Sequence, residues 1–163
     1  APAARPAMAK VLMVCTANLC RSPMAEVVAR ELAKRAGLGK GHEFASAGTR
    51  ASPYKEPTDP RAVQALAQRG YTPGKGRTRR VGEKDFAQAD LILAMDQSVM
   101  NDLRRDCPGE HAHKLRMFLE FAPAAGLVEM PDPYFGAAQG FEHVLDLCEA
   151  AGRGLVAQLG TQG

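Results

Sequence analysis

The sequence predicts an α/β fold: a single-domain three-layer sandwich in which a four-stranded parallel sheet carries helices on both faces. Short apolar runs, Val11-Leu12-Met13-Val14 and Leu91-Ile92-Leu93-Ala94, alternate with stretches whose apolar residues recur at helical spacing. That alternation is what strands joined by crossover helices produce. The chain has 163 residues, 45% of them hydrophobic, which suits one core. No internal repeat or low-complexity tract breaks the pattern.

The elements follow in order. Residues 1–8 read as a flexible N-terminal extension and 9–163 as the domain. The first strand is read at Lys10 to Val14. In the helix after it, Ser22 is expected to cap the helix, to bond the Cys15 thiolate, or to do both, Pro23 suits the first position, Glu26 complements the dipole, and Met24, Val27, Val28 and Leu32 give an inward face. Gly37 and Gly39 end it. A second short strand is predicted at Phe44 to Ala47, and a helix from Pro60 to Arg69 stops at Gly70. Leu91 to Ala94 is a buried strand, Gln97 to Arg105 a helix, and Leu115 to Phe118 the fourth strand. Met130 to Gly136 is a proline-containing loop. Phe141, Val144, Leu145, Cys148, Leu155, Val156 and Leu159 define one long final helix, although Gly152 and Gly154 each cost it about 1 kcal/mol relative to alanine.

Cys15-Thr16-Ala17-Asn18-Leu19-Cys20-Arg21-Ser22-Pro23 follows the first strand directly, so one strand-to-helix turn holds a thiol and, after five intervening residues, an arginine. A turn of this kind closes around a tetrahedral oxyanion, with backbone N–H groups and the positive end of the next helix dipole directed at it. That field favours thiolate over thiol at Cys15, the form that attacks phosphorus. The planar fork of Arg21 can hold two phosphoryl oxygens at once. With right-handed crossovers, Cys15 and the late loop around Asp132 meet at the carboxyl ends of the strands.

This cysteine-x5-arginine-serine turn, with Pro23-Met24-Ala25-Glu26 after it, resembles that of the low-molecular-weight protein tyrosine phosphatases. Ser46-Ala47-Gly48-Thr49 resembles the family's second-strand signature, Asp59-Pro60-Arg61-Ala62 the start of its second helix, and Leu93-Ala94-Met95-Asp96 its third-strand end. Asp132-Pro133-Tyr134 matches its general-acid loop. The resemblance implies a metal-independent enzyme without cofactor that hydrolyses protein phosphotyrosine and small aryl phosphates through a phosphocysteine, releasing inorganic phosphate. It implies Cys15, Arg21 and Asp132 as catalytic residues. Thr16, Ala17, Asn18, Leu19, Cys20, Ser22 and Ser46 become the residues that bind phosphate and shape the loop, Leu19 and Tyr134 the pocket walls, and Cys20 the redox partner of Cys15.

Three positions depart from the family pattern: Ala17 replaces a common glycine, Ser52 a frequent pocket tryptophan, and Gly76 a frequent supporting histidine. Tyr54 is a candidate for the missing aromatic wall. Two relatives share the loop. Arsenate reductases carry a further cysteine pair after the second helix, where Gly82 to Ala89 has none. Protein arginine phosphatases favour a threonine where this chain has Leu19, and the larger apolar side chain better suits an aryl ring.

The remaining composition narrows the partners. A net charge of +3 favours phosphorylated ligands slightly and makes no case for nucleic acid. No run approaches a membrane span, and Ala1 to Ala7 holds too few apolar residues for a signal sequence. Four cysteines and a reactive thiol argue for the cytoplasm. A monomer is expected. Cys107, His111 and His113 lack a fourth metal ligand, Cys148 reads as core, and the basic run Lys75, Arg77, Arg79 and Arg80 reads as a solvated face.

Overall fold

The computed structural model describes residues 8–134 and 136–161. Residues 1–7, and with them most of the expected extension, lie outside the described residues. Strands β1 (Ala9–Cys15), β2 (His42–Gly48), β3 (Leu91–Ala94) and β4 (Leu115–Met117) form one parallel sheet in the order β2-β1-β3-β4. Helices α1 (Arg21–Arg35), α2 (Pro60–Gln68), α3 (Glu83–Gln88), α4 (Gln97–Asp106) and α5 (Ala138–Thr161) cover it.

Side-chain alternation along β1 sorts the core into two sides. Val11, Met13 and Cys15 pack with α1, α2 and α5, whereas Leu12 and Val14 pack with Phe86 of α3 and Val99, Met100 and Leu103 of α4. Both faces of the sheet are therefore buried, as the unbroken apolar runs require. The chain passes from β1 out to β2 and then back across to β3 and β4. Strand order reverses beside β1, so the crevice at the carboxyl ends of β1 and β3 is the natural ligand position.

Four local expectations are corrected. Helix α1 begins at Arg21 with Cys20 in the capping position, and no side chain caps it. Ser22 is committed to other partners instead, and Pro23 is the third helical residue. Glu26 lies beyond the first turn and pairs with Arg30. Phe118 leaves the fourth strand to open a 3-10 helix, Phe118–Phe121, where it is fully buried. Helix α3 escaped the sequence reading because six residues give too little periodicity; its first turn is held by Asp85, which accepts from Gly82 N at 2.8 Å.

The two glycines that weaken α5 have a packing purpose. A Cβ on Gly154 would lie 2.0 Å from the Phe121 carbonyl oxygen, and one on Gly152 would lie 2.9 Å from Leu32 Cδ1. The helix backbone is thus seated directly on the Phe118–Phe121 turn and on α1. Arg69, just past α2, ties that helix to the same strut through Glu142, Asp146 and Glu149, each at 2.8 Å.

Gly154→Ala is expected to destabilise the fold by about 2 kcal/mol, lowering the melting temperature by roughly 4–8 °C, because the backbone carbonyl it meets cannot move aside as a side chain can. A circular-dichroism melt is the measurement. An unchanged or higher transition, as helix propensity alone would give, contradicts the close seating.

Candidate active site

β1 ends on Cys15, 3% exposed, and the chain turns through Thr16–Cys20 into α1. The turn is possible because Asn18 adopts a left-handed backbone, φ 61°, a region few side chains other than asparagine tolerate. Its amide is buried and fully used: Nδ2 donates to Ser22 Oγ at 2.8 Å and to Ser46 Oγ at 3.1 Å, and Oδ1 accepts from Arg79 N at 3.0 Å. Ser22 Oγ also lies 3.0 Å from Cys15 Sγ and 3.3 Å from the Ala47 carbonyl, which explains why it does not cap the helix.

The end of β2 presses on the turn from below. Thr49 N donates to Cys15 O at 3.0 Å and Arg50 N to Thr16 O at 2.9 Å. Gly48 admits no side chain there, since a Cβ would lie 2.5 Å from Thr16 O. On the other flank Asp59 N donates to Leu19 O at 3.0 Å. The carbonyls of the turn are thus drawn outward. Among the described residues, the N–H groups of Thr16 to Cys20 donate to no acceptor. Such a set of backbone donors at a helix N-terminus is an anion-binding cradle.

Arg21, only 3% exposed, reaches over this cradle. Nη1 donates to Asp96 Oδ2 at 2.7 Å and to the Met130 carbonyl at 3.2 Å, while Nη2 lies 3.5 Å from Thr16 Oγ1 and 3.6 Å from Asp132 Oδ2. Burial works against the charge of the guanidinium. The hydrogen bond to Asp96 and the nearby Cys15 and Asp132 outweigh it, so the group stays charged. Asp132 stands at the rim with its side chain 47% exposed, and its Oδ1 accepts from Tyr134 N at 3.0 Å.

These groups enclose a cavity of about 320 Å³ lined by Cys15, Thr16, Ala17, Leu19, Cys20, Arg21, Asp132 and Tyr134. Leu19 and Tyr134 give it apolar flanks. Asn18, Ser22 and Ser46 lie outside it, in the network behind the turn. Tyr54, expected as a replacement wall, is 86% exposed and does not line the cavity. Gly76 lines a separate hollow of about 220 Å³ behind the turn, with Asn18, Ser46 and Glu26. Cys20 is buried, and burial together with the Asp59 carboxylate pushes its thiol up to about 12.

Four contributors were missed by sequence reasoning. Asp96 caps α4, accepting from Val99 N at 2.8 Å, and holds Arg21 with its other oxygen. The signal was a carboxylate immediately after a buried strand. Sequence reasoning gives Asp59 and Arg61 only as the start of a helix. Arg79 sits in the basic run, yet it is its backbone N–H that fixes Asn18, while its guanidinium pairs with Asp85 at 2.9 Å.

The family described as low molecular weight phosphotyrosine protein phosphatase matches residues 10–163. The chain belongs to this family. A low molecular weight protein-tyrosine-phosphatase of Streptomyces coelicolor is 41% identical over 156 residues, covering 94% of this chain and 94% of that protein. Among solved structures, a low molecular weight phosphotyrosine phosphatase of Vibrio cholerae is 39% identical with a TM-score of 0.89, covering 95% of this chain and 99% of that one. YwlE of Bacillus subtilis, an arginine phosphatase, is 30% identical with a TM-score of 0.82, covering 93% and 95%. Low molecular weight phosphatases are cysteine-dependent hydrolases, and the parallel four-stranded sheet is the fold this chain shares with them.

Proposed function

We propose that this chain, over residues 9–163, dephosphorylates protein phosphotyrosine and small aryl phosphates through a phosphocysteine on Cys15. The observation that carries this reading is the cavity itself: a thiol and a buried guanidinium beside five unpaired backbone donors, with a carboxyl group at the rim. The Cys15 thiolate attacks phosphorus as the bond to the phenolic oxygen breaks. Asp132, in its acid form, gives that oxygen its proton, needed because a phenolate whose acid has a pKa of about 10 is a slow leaving group. Arg21 and the backbone donors take up charge on the equatorial oxygens. Water then attacks the thiophosphate, Asp132 carboxylate accepts its proton, and inorganic phosphate leaves as the S–P bond breaks. The Ser22 hydroxyl, 3.0 Å from the sulfur, stabilises the departing thiolate. Every group is supplied by one chain, which supports a monomer as the working unit.

Cys15→Ser is expected to abolish p-nitrophenyl phosphate hydrolysis while retaining the fold, and activity above a few per cent removes Cys15 as nucleophile. Asp132→Ala is expected to slow esters of poor leaving groups by ~10²–10⁴-fold and those of good ones far less. A rate dependence on leaving-group pKa equal to that of the unaltered enzyme clears Asp132 of the acid role.

Leu19 and Tyr134 flank the thiol with apolar surface suited to a phenyl ring, and a deep nucleophile favours a long rigid ester over phosphoserine. Phosphotyrosine peptides are expected to outrun phosphoarginine and phosphoserine peptides in kcat/KM, and Leu19→Thr is expected to shift the balance toward phosphoarginine. Faster phosphoarginine turnover by the unaltered enzyme would make it an arginine phosphatase instead.

The four cysteines are free. We place the protein in the reducing cytoplasm and assign Cys20 as resolving thiol: peroxide oxidises Cys15 to a sulfenic acid, and Cys20 condenses with it to a disulfide, releasing water. Activity is expected to return with dithiothreitol in the unaltered enzyme and to be lost permanently in Cys20→Ser. Equal recovery in both, without a bridged peptide by mass spectrometry, leaves Cys20 a structural residue.

A further inference from the structure

Arg61 lies outside the cavity, yet it joins its two halves. The helix that carries it is fixed to the phosphate-binding turn, because Asp59 N donates to Leu19 O at 3.0 Å. The Asp59 carboxylate takes the Arg61 fork, with Nε at 3.2 Å and Nη2 at 3.0 Å. The same Nη2 donates to the Tyr134 carbonyl at 2.8 Å, and the guanidinium lies 5.4 Å from the centre of the Tyr134 ring and 4.9 Å from that of Phe141. Tyr134 N in turn holds Asp132 Oδ1 at 3.0 Å. One guanidinium thus spans from the turn that holds the nucleophile to the loop that holds the carboxyl group.

Met130 is anchored upstream by its N–H on Met95 O at 2.7 Å and by its carbonyl on Arg21. Downstream of Asp132, Gly136 N donates to Pro133 O at 3.0 Å and Gly140 N to Ala137 O at 2.9 Å, both local bonds. The charge of Arg61 is matched by Asp59, which it holds below the usual carboxylate range through its side-chain hydrogen bonds. Its function is therefore geometric rather than electrostatic at phosphorus.

We propose that Arg61 is a positioning residue that sets the reach of Asp132 to the leaving-group oxygen and holds Tyr134 as the pocket wall, by clamping the Asp132 loop to the phosphate-binding turn. This rests on the acid role assigned to Asp132 above. A proton donor must lie within hydrogen-bond reach of the atom it serves, so loosening the clamp costs proton delivery while the cradle for phosphate stays intact.

The test compares Arg61→Ala, Arg61→Lys and Asp132→Ala with the unaltered enzyme, using kcat/KM over aryl phosphates of graded leaving-group pKa and the inhibition constant of inorganic phosphate. In Arg61→Ala, kcat/KM for poor leaving groups is expected to fall ~10–100-fold and for good ones less than ~3-fold, with phosphate inhibition unchanged. Added guanidinium ion should restore part of the loss, and Arg61→Lys should fall between. Should Arg61→Ala unfold, the same slope is read on Arg61→Lys, which keeps the charge and loses the fork. A loss equal for all leaving groups, or one shared by phosphate binding, overturns the positioning role. If Asp132→Ala itself leaves the slope unchanged, the acid assignment has failed; if it steepens the slope and the Arg61 variants do not, only the clamp has failed.

Discussion

The left-handed turn at Asn18 is the constraint on which the site rests. A buried amide must satisfy its donors and acceptor inside the protein, and Asn18 does so with partners from three separate segments: Ser22 of α1, Ser46 of β2 and the backbone of Arg79. Each bond pulls the turn toward the sheet. With the carbonyls of Cys15, Thr16 and Leu19 already taken by Thr49, Arg50 and Asp59, the amide hydrogens of the turn are what remains for a ligand. The cradle is a by-product of outward hydrogen bonding. Nothing about it needs to be flexible.

Arg21 imposes the second constraint. Burying a guanidinium without a partner costs several kcal/mol, so the fold must supply a counter-charge that does not occupy the ligand's place. Asp96 does this from the end of β3, taking Nη1, while the Met130 carbonyl takes a second contact on the same nitrogen. Nη2 is left on the cavity side. Because Asp96 also caps α4, helix and arginine share one carboxylate, and the geometry of the cation is inherited from the sheet. This division of labour keeps the cation in place before any phosphate arrives.

What the sequence disclosed was whatever lies close together along the chain. Strand, turn, thiol, arginine and helix occupy one continuous stretch from Ala9 to Arg35, so their order alone implied a cradle, and the buried runs of β1 and β3 implied a covered parallel sheet. The Asp-Pro-Tyr stretch was legible through resemblance, because an aspartate between prolines is otherwise an ordinary turn. Of the two roles expected of Ser22, the contact with the Cys15 sulfur is present and the helix cap is not: local rules weigh a hydroxyl before a helix without knowing that Asn18 and Ala47 also compete for it. Asp96, Asp59, Arg61 and the N–H of Arg79 could not be assigned locally, since the partners of Asp96, Arg61 and Arg79 lie 75, 73 and 61 residues away and Asp59 N bonds the backbone of the distant cysteine turn. Tyr54 failed because an aromatic residue in a loop gives no sign in the sequence of which way it faces, and here it is turned to solvent.

The seating of α5 has a consequence for the far side of the molecule. The Asp132 loop leaves one rigid anchor at Met130, on the carbonyl at the end of β3, and enters another at Ala138, in a helix whose Gly154 rests against the Phe121 carbonyl. Residues 131–137 bridge these anchors, and Pro131 and Pro133 remove two of their φ rotations. The Asp132 carboxyl group is thus carried between two parts of the core, so any change in how α5 sits on the Phe121 carbonyl is passed on to the rim of the cavity.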